Sequence, residues 1–234
     1  MIKAVVFDLD DTLYEYENLN KIAIEVVYDR FADVLNLSKD TLRTAIEWGK
    51  QETKNTMHDC ASRHNRMIYF QKASEYLHLN PVEYTLSMYE TYWNYMLENM
   101  KLYPGVLSLF DHLKRNQIKI AICTDLTVNI QHRKLRKLGI WSYIDALVTS
   151  EEADAEKPNP SMFNLVLRKL GIKAGEALYV GDSLKKDVIG ASNVGMQACW
   201  FCATEKHVSC PEWYLTVKSF GEIEKVIFHE RFFE

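Results

Sequence analysis

Near the start of the chain, Asp8-Leu-Asp10-Asp11-Thr12 follows the apolar run Ala4-Val-Val-Phe7. The run is rich in Val and Phe and reads as a buried β-strand. Side chains of an extended chain alternate faces, so Asp8 and Asp10 project from the strand end on the same side. Two carboxylates held this close repel each other and attract a hard cation such as Mg²⁺. One can act as a nucleophile while the other handles protons. Alone, an Asp-x-Asp pair is equally a solvated acidic turn at the end of a strand. What else converges on it decides between the two.

Three further strand ends carry polar groups. Residues 118–123 read as a strand ending at Thr124-Asp125, and the candidate strand 146–149 leads into a loop holding Lys157-Pro158. Residues 177–180 end at Gly181-Asp182-Ser183, with Asp187 one helical turn further on. Residues 197–202, and a short piece at 214–217, complete the strand pattern. Strands alternating with helices imply a parallel sheet covered on both faces, a doubly wound Rossmann-like α/β fold. In such open sheets ligands bind outside the carboxyl ends of the strands. Carboxylates, a hydroxyl and an ammonium group are therefore expected in one crevice.

Residues 15–100 break the alternation. Helices are expected near 18–35, 40–56, 65–78 and 82–100, with Ser38 and Asp40 as candidate caps of the second and Asn80-Pro81 opening the last. The simplest organisation is an α/β core of residues 1–14 and 101–234, interrupted after its first strand by a helical domain of residues 15–100. Tyr84, Met88, Tyr92 and Tyr95 recur at helical spacing, as residues packing the inside of that domain do.

At 234 residues and 47% hydrophobic, the chain has ample material for a core. A net charge of −4 is too mild for a nucleic-acid-binding surface. No apolar stretch is long enough to span a bilayer, and no leader with a charged and then an apolar region precedes the first strand. A soluble cytoplasmic protein is the expectation. Cys199, Cys202, His207 and Cys210 are zinc-ligand types in a short span. A strand over 197–202 would place Cys199 and Cys202 on opposite faces, so buried thiols are expected there rather than zinc.

Taken together, Asp8-x-Asp10-x-Thr12, Thr124 after a strand, Lys157-Pro158-Asn159-Pro160-x-x-Phe163 and Gly181-Asp182-Ser183-x-x-x-Asp187 resemble the four motifs of the haloacid dehalogenase superfamily, in its phosphatase branch. Tyr103-Pro104-Gly105 and Gly190-Ala191 also sit where that family places such residues, and the helical stretch resembles its inserted cap. The resemblance implies a Mg²⁺-dependent phosphatase acting on a small phosphorylated metabolite. Asp8 would form an aspartyl phosphate. Asp10 would protonate the leaving oxygen and then take a proton from water. Thr124 and Lys157 would bind the phosphoryl oxygens. Mg²⁺ would be held by Asp8, Asp182 and the backbone carbonyl of Asp10, with Asp187 supporting that set and Thr12 buttressing the loop. Asp125 departs from the Asn common in the family and adds a negative charge beside the expected phosphate.

Dehalogenase chemistry is disfavoured, because family members that perform it lack the second Asp, present here as Asp10. A sugar phosphomutase shares the motifs and would show isomerisation with little net phosphate release. A phospho-accepting signalling receiver also combines acids, Thr and Lys, but the spacing from Asp8 to Thr12 and the large insertion argue against it. A non-catalytic binding protein would need neither Asp8 nor Asp10. Substrate choice is expected from the cap. Its segment 55–66 breaks the helical pattern and carries His58, Arg63, His64 and Arg66, groups able to bind an anion or a sugar hydroxyl. A polar, solvated loop is the competing reading of the same segment. The oligomeric state is not legible.

Overall fold

The computed structural model describes residues 1–58, 60–203 and 215–228. Six parallel strands form one sheet in the order β3-β2-β1-β4-β5-β6: β1 (Ala4–Phe7), β2 (Lys119–Thr124), β3 (Ala146–Thr149), β4 (Ala177–Gly181), β5 (Gln197–Phe201) and β6 (Thr216–Val217). Tyr214, part of the short piece expected at 214–217, lies outside the described residues.

Alternation along the strands builds two apolar layers, one on each face. Val5 and Phe7 of β1, with Ile120 and Ile122 of β2, pack on one side against Leu109 and Phe110 of α5 (Val106–Arg115) and Ile223 of α10 (Phe220–Phe228). Ala4 and Val6, with Ala121 and Cys123, pack on the other against Phe163 and Val166 of α8 (Pro160–Leu170). Every residue of β1 is fully buried. A buried Phe or Val contributes about 1.5–3 kcal/mol relative to exposure. The strand carrying Asp8 at its end is therefore the best-anchored element of the sheet. The strand order reverses beside β1, which places the crevice at its carboxyl end.

Between β1 and α5 the chain forms α1 (Tyr16–Leu35), α2 (Lys39–Thr56), α3 (Arg66–Tyr76) and α4 (Pro81–Asn99). Their starts follow local capping chemistry. Ser38 Oγ accepts from Thr41 N at 3.1 Å, Asn65 Oδ1 from Met67 N at 2.9 Å, and Asn80 Oδ1 from Val82 N at 3.0 Å before Pro81. The segment that breaks the helical pattern contains a turn of 3₁₀ helix at Ala61–His64, and Arg66 begins α3, close to the helix start expected at 65. The four helices share their own apolar cluster, including Phe31, Phe70, Met88, Tyr92 and Trp93. Tyr84 and Tyr95 pack partly buried on its edge. Leu126 and Ile130 of the α/β part also join this cluster, so the bundle is seated on the sheet's carboxyl edge. No helix among the described residues is long and apolar enough to cross a membrane.

Candidate active site

Asp8 sits just beyond β1, buried, its backbone N–H donating to Val180 O at 2.9 Å. Lys157 reaches it from the loop before α8, with Nζ 2.6 Å from Asp8 Oδ1 and 2.7 Å from Asp187 Oδ1. The Lys157–Pro158 peptide bond is cis. Asp187 lies in a wide π-type helical turn, Leu184–Ile189, and its other oxygen accepts from Ser183 N at 2.9 Å. This turn folds back so tightly that a Cβ on Gly181 would lie 2.4 Å from Asp187 Cγ. Glycine is required there by close approach, not by its φ.

Asp8, Asp182 and Asp187 each offer one carboxylate oxygen within 4.8 Å of the others. Burial raises the Asp8 carboxyl well above its usual range, and Lys157 opposes that shift without cancelling it. Burial, with the charge of Asp187 beside it, pushes Asp182 up to about 7. Burial alone would lower the Lys157 ammonium, but Asp187 and Asp8 outweigh it and hold it protonated. One ammonium thus serves a cluster of three acids, and the remaining demand is for positive charge. An all-oxygen donor set under that demand fits a hard divalent cation.

Asp10 lines the same crevice but has its own partners. Lys134 Nζ lies 2.7 Å from its Oδ1 and 2.8 Å from its Oδ2, and Tyr14 donates its hydroxyl to Oδ1 at 2.6 Å. Lys134 belongs to α6 (Val128–Lys137) and is completely buried. Its ammonium is framed by the rings of Tyr14, Tyr16 and Trp93 at 5.3–5.9 Å from their centroids. Burial lowers its pKa, with the Asp10 carboxylate acting against the shift.

The remaining motif residues hold the loops. Thr12 Oγ1 accepts from Asp182 N at 3.1 Å, and Trp200 Nε1 donates to Asp182 O at 2.7 Å. Asp11, at φ 55°, accepts from Tyr16 N and Glu17 N at 2.9 and 3.0 Å, tying the acidic loop to the first turn of α1. Thr124 lines the crevice and accepts from Gln131 Nε2 at 3.0 Å. The unexpected acid Asp125 is neutralised: Lys186 Nζ is 2.8 Å from its Oδ2, and Lys157 N donates to its Oδ1 at 3.1 Å. Burial would raise its pKa, but Lys157 and Lys186 hold it below the usual value.

The crevice, about 290 Å³, is lined by Asp8, Asp10, Thr124, Lys157 and Asp182 from the sheet side and by Tyr16, His64 and Arg66 from the bundle. Of the bundle residues singled out in sequence, Arg66 reaches the crevice and also donates to Tyr16 OH. Arg63 lines an adjoining cavity, while His58 is exposed and lines neither. Cys199 is a buried free thiol and Cys202 is half-buried; His207 and Cys210 lie outside the described residues.

Sequence reasoning missed Lys134, Tyr14 and Lys186. A signal for Lys134 existed. Ile130, Gln131, Lys134, Leu135 and Leu138 trace the buried face of α6 at helical spacing, which puts a lysine on an apolar stripe.

Residues 5–201 match the haloacid dehalogenase-like hydrolase family. The chain belongs to this family. It is 36% identical over 210 residues to a ribulose-1,5-bisphosphate 5-phosphatase of Halopiger xanaduensis, covering 88% of this chain and 87% of that one. It is 32% identical over 197 residues to a glyceraldehyde 3-phosphate phosphatase of Methanopyrus kandleri, covering 84% and 82%. Among solved structures, a haloacid dehalogenase-family phosphatase from Thermococcus onnurineus superposes with a TM-score of 0.75 at 28% identity over 98% of this chain and 100% of that one. In this haloacid dehalogenase-like hydrolase the acidic cluster and Lys157 stand at the carboxyl end of the central strands.

Proposed function

We propose that this hydrolase is a Mg²⁺-dependent phosphatase that cleaves a small phosphomonoester through a phosphorylated Asp8. The observation that carries the reading is the separate dressing of two neighbouring carboxylates. Asp8 is held by Lys157 among acids that call for a cation, while Asp10 is held by Lys134 and Tyr14. Relatives that act, by name, on ribulose bisphosphate and glyceraldehyde phosphate support a small sugar phosphate as substrate.

The substrate phosphoryl group enters beside Lys157 and Thr124, whose ammonium and hydroxyl bind its oxygens as charge redistributes. An Asp8 oxygen attacks phosphorus and the bond to the leaving alkoxide breaks. Asp10, as the acid, supplies the proton that the alkoxide takes. Water then attacks the aspartyl phosphate. Asp10 accepts its proton, and phosphate departs with Asp8 restored. Mg²⁺, when bound by Asp8, Asp182 and the Asp10 carbonyl with Asp187 in support, supplies the charge that lets an anionic nucleophile approach an anionic phosphoryl group. We read the four-helix bundle of residues 15–100 as a cap over a core of 1–14 and 101–234, supported by its own apolar cluster and by the reach of His64 and Arg66 into the crevice.

The test is phosphate release from 4-nitrophenyl phosphate, glyceraldehyde 3-phosphate, ribulose 5-phosphate and ribulose 1,5-bisphosphate. The wild type should turn over at least one, lose activity to a chelator and regain it with Mg²⁺. Asp8→Asn should lose turnover by about 10⁴-fold or more while remaining folded. Undiminished hydrolysis by a folded Asp8→Asn protein would refute the nucleophile.

A further inference from the structure

A second cavity, about 680 Å³, opens beside the crevice, between the end of α2 and the loop that carries Lys157. Among the described residues its cationic lining is Lys54, Arg63, Lys157, Lys185 and Lys186, against one carboxylate, that of Glu156. Glu156 is engaged by His64, whose Nε2 lies 3.2 Å from its Oε2. Lys157 and Lys186 have carboxylate partners in Asp8, Asp187 and Asp125. Lys54 and Lys185 form no ion pair among the described residues. Lys54 is half-buried in the last turn of α2, and Lys185 stands exposed on the turn after β4.

Lys54 and Lys185 therefore bring positive charge here that no described carboxylate pairs. The Lys54 ammonium is pushed below its usual pKa, by burial first and then by the like charges of Lys50, Arg66 and Arg63, with Glu47 opposing. A cation destabilised by other cations gains when an anion arrives. The cavity adjoins the crevice: His64, Lys157 and Lys186 line both. Lys157 therefore stands between the place where a phosphoryl group would meet Asp8 and the cationic space beyond. A ligand with two anionic ends would meet cations in both spaces.

We propose that this cavity is a second phosphate subsite, in which Lys54 and Lys185 hold a phosphate of the substrate remote from the one that is cleaved. The enzyme's preferred substrate class is then a sugar bisphosphate rather than a monophosphate. Ammonium groups suit this role, because each offers three donors to phosphate oxygens without fixing one orientation. This assignment rests on Asp8 as the phosphoryl acceptor, since that fixes where the first phosphate lies.

Binding by the Asp8→Asn protein, measured by titration calorimetry, separates the subsite from turnover. Ribulose 1,5-bisphosphate should bind at least about tenfold more tightly than ribulose 5-phosphate, since a charge-assisted contact is worth about tenfold or more. In the same background, Lys54→Gln with Lys185→Gln should bring the ratio toward one, while Lys54→Arg alone should keep most of it. The ratio for wild-type kcat/KM should follow the same pattern. Equal affinities in the parent protein, or a ratio unchanged by the double substitution, would overturn the subsite. If no phosphomonoester, 4-nitrophenyl phosphate included, is hydrolysed by the wild type while the affinity ratio holds, the phosphatase reading fails and the subsite stands.

Discussion

Lys134 grips both oxygens of Asp10, at 2.7 and 2.8 Å, across 124 positions of sequence and from a fully buried place in α6. Tyr14 completes the hold at 2.6 Å. The proton transfer proposed for this carboxyl needs a fixed orientation, and two donors on one side supply it. The aromatic rings around the ammonium keep it in place without taking its proton.

Lys134→Met should therefore reduce kcat for 4-nitrophenyl phosphate by about a hundredfold or more, with KM changed far less, because the role proposed for Asp10 is proton transfer rather than phosphate binding. Lys134→Arg should recover part of the loss by restoring two donors to the carboxylate. Steady-state kinetics on both variants decides it. A rise in KM at unchanged kcat would contradict the orienting role.

Asp182 gives a pH dependence with a definite sign. Without metal its carboxyl titrates at about 7 in the folded chain, raised by burial and Asp187, against about 3.9 when unfolded. Between those values the folded state holds a proton that the unfolded state has released, so this contribution to stability is complete below about pH 4 and lost as pH rises through about 7. Asp182→Asn should unfold roughly 2–6 °C higher than wild type at pH 8 in chelator, with the gap narrowing toward pH 5. Added Mg²⁺ should raise the Tm of the wild type far more than that of the variant. Melting curves over pH 5–8 that show a constant difference would count against this account.

Gly181→Ala would place a methyl 2.4 Å from Asp187 Cγ. Asp187 cannot retreat without releasing Ser183 N and Lys157 Nζ. The substitution should cost about 1–3 kcal/mol and lower activity along with stability. Denaturant unfolding and an activity assay on one preparation test both halves. A fully active, fully stable variant would mean that the turn relaxes at no cost.

The bundle residues should divide by position. Arg66 lines the crevice and His58 is exposed away from it, so Arg66→Ala should shift relative kcat/KM among phosphomonoesters by about tenfold, whereas His58→Ala should leave every ratio unchanged. Kinetics over the substrate panel checks this, and equal effects of the two substitutions would contradict it.

Much of the architecture was written locally. The buried run Ala4–Phe7, the punctuation at Asn80-Pro81 and Ser38, and the alternation of strands and helices after residue 101 fixed the elements to within a few residues, because strand period, helix period and caps are short-range properties. The sequence by itself also determined which acids stand at strand ends. Asp8, Thr124 and Asp182 each stand at the end of a hydrophobic run in a parallel sheet, Lys157 lies in the loop that follows β3, and parallel strands deliver their ends to one edge. The tertiary structure alone decided the partners. Lys134 lies in a helix that also holds Arg133, Arg136 and Lys137 and is distinguished from them only by the face that meets the bundle. Asp125 became harmless only when Lys186, sixty-one positions later, closed on it. Arg66 and His58, neighbours in one polar segment, were separated by the winding of a 3₁₀ turn and the start of α3. Charge type and local period are readable along a chain. Which charges meet depends on how distant elements stack, and that packing is a property of the whole fold.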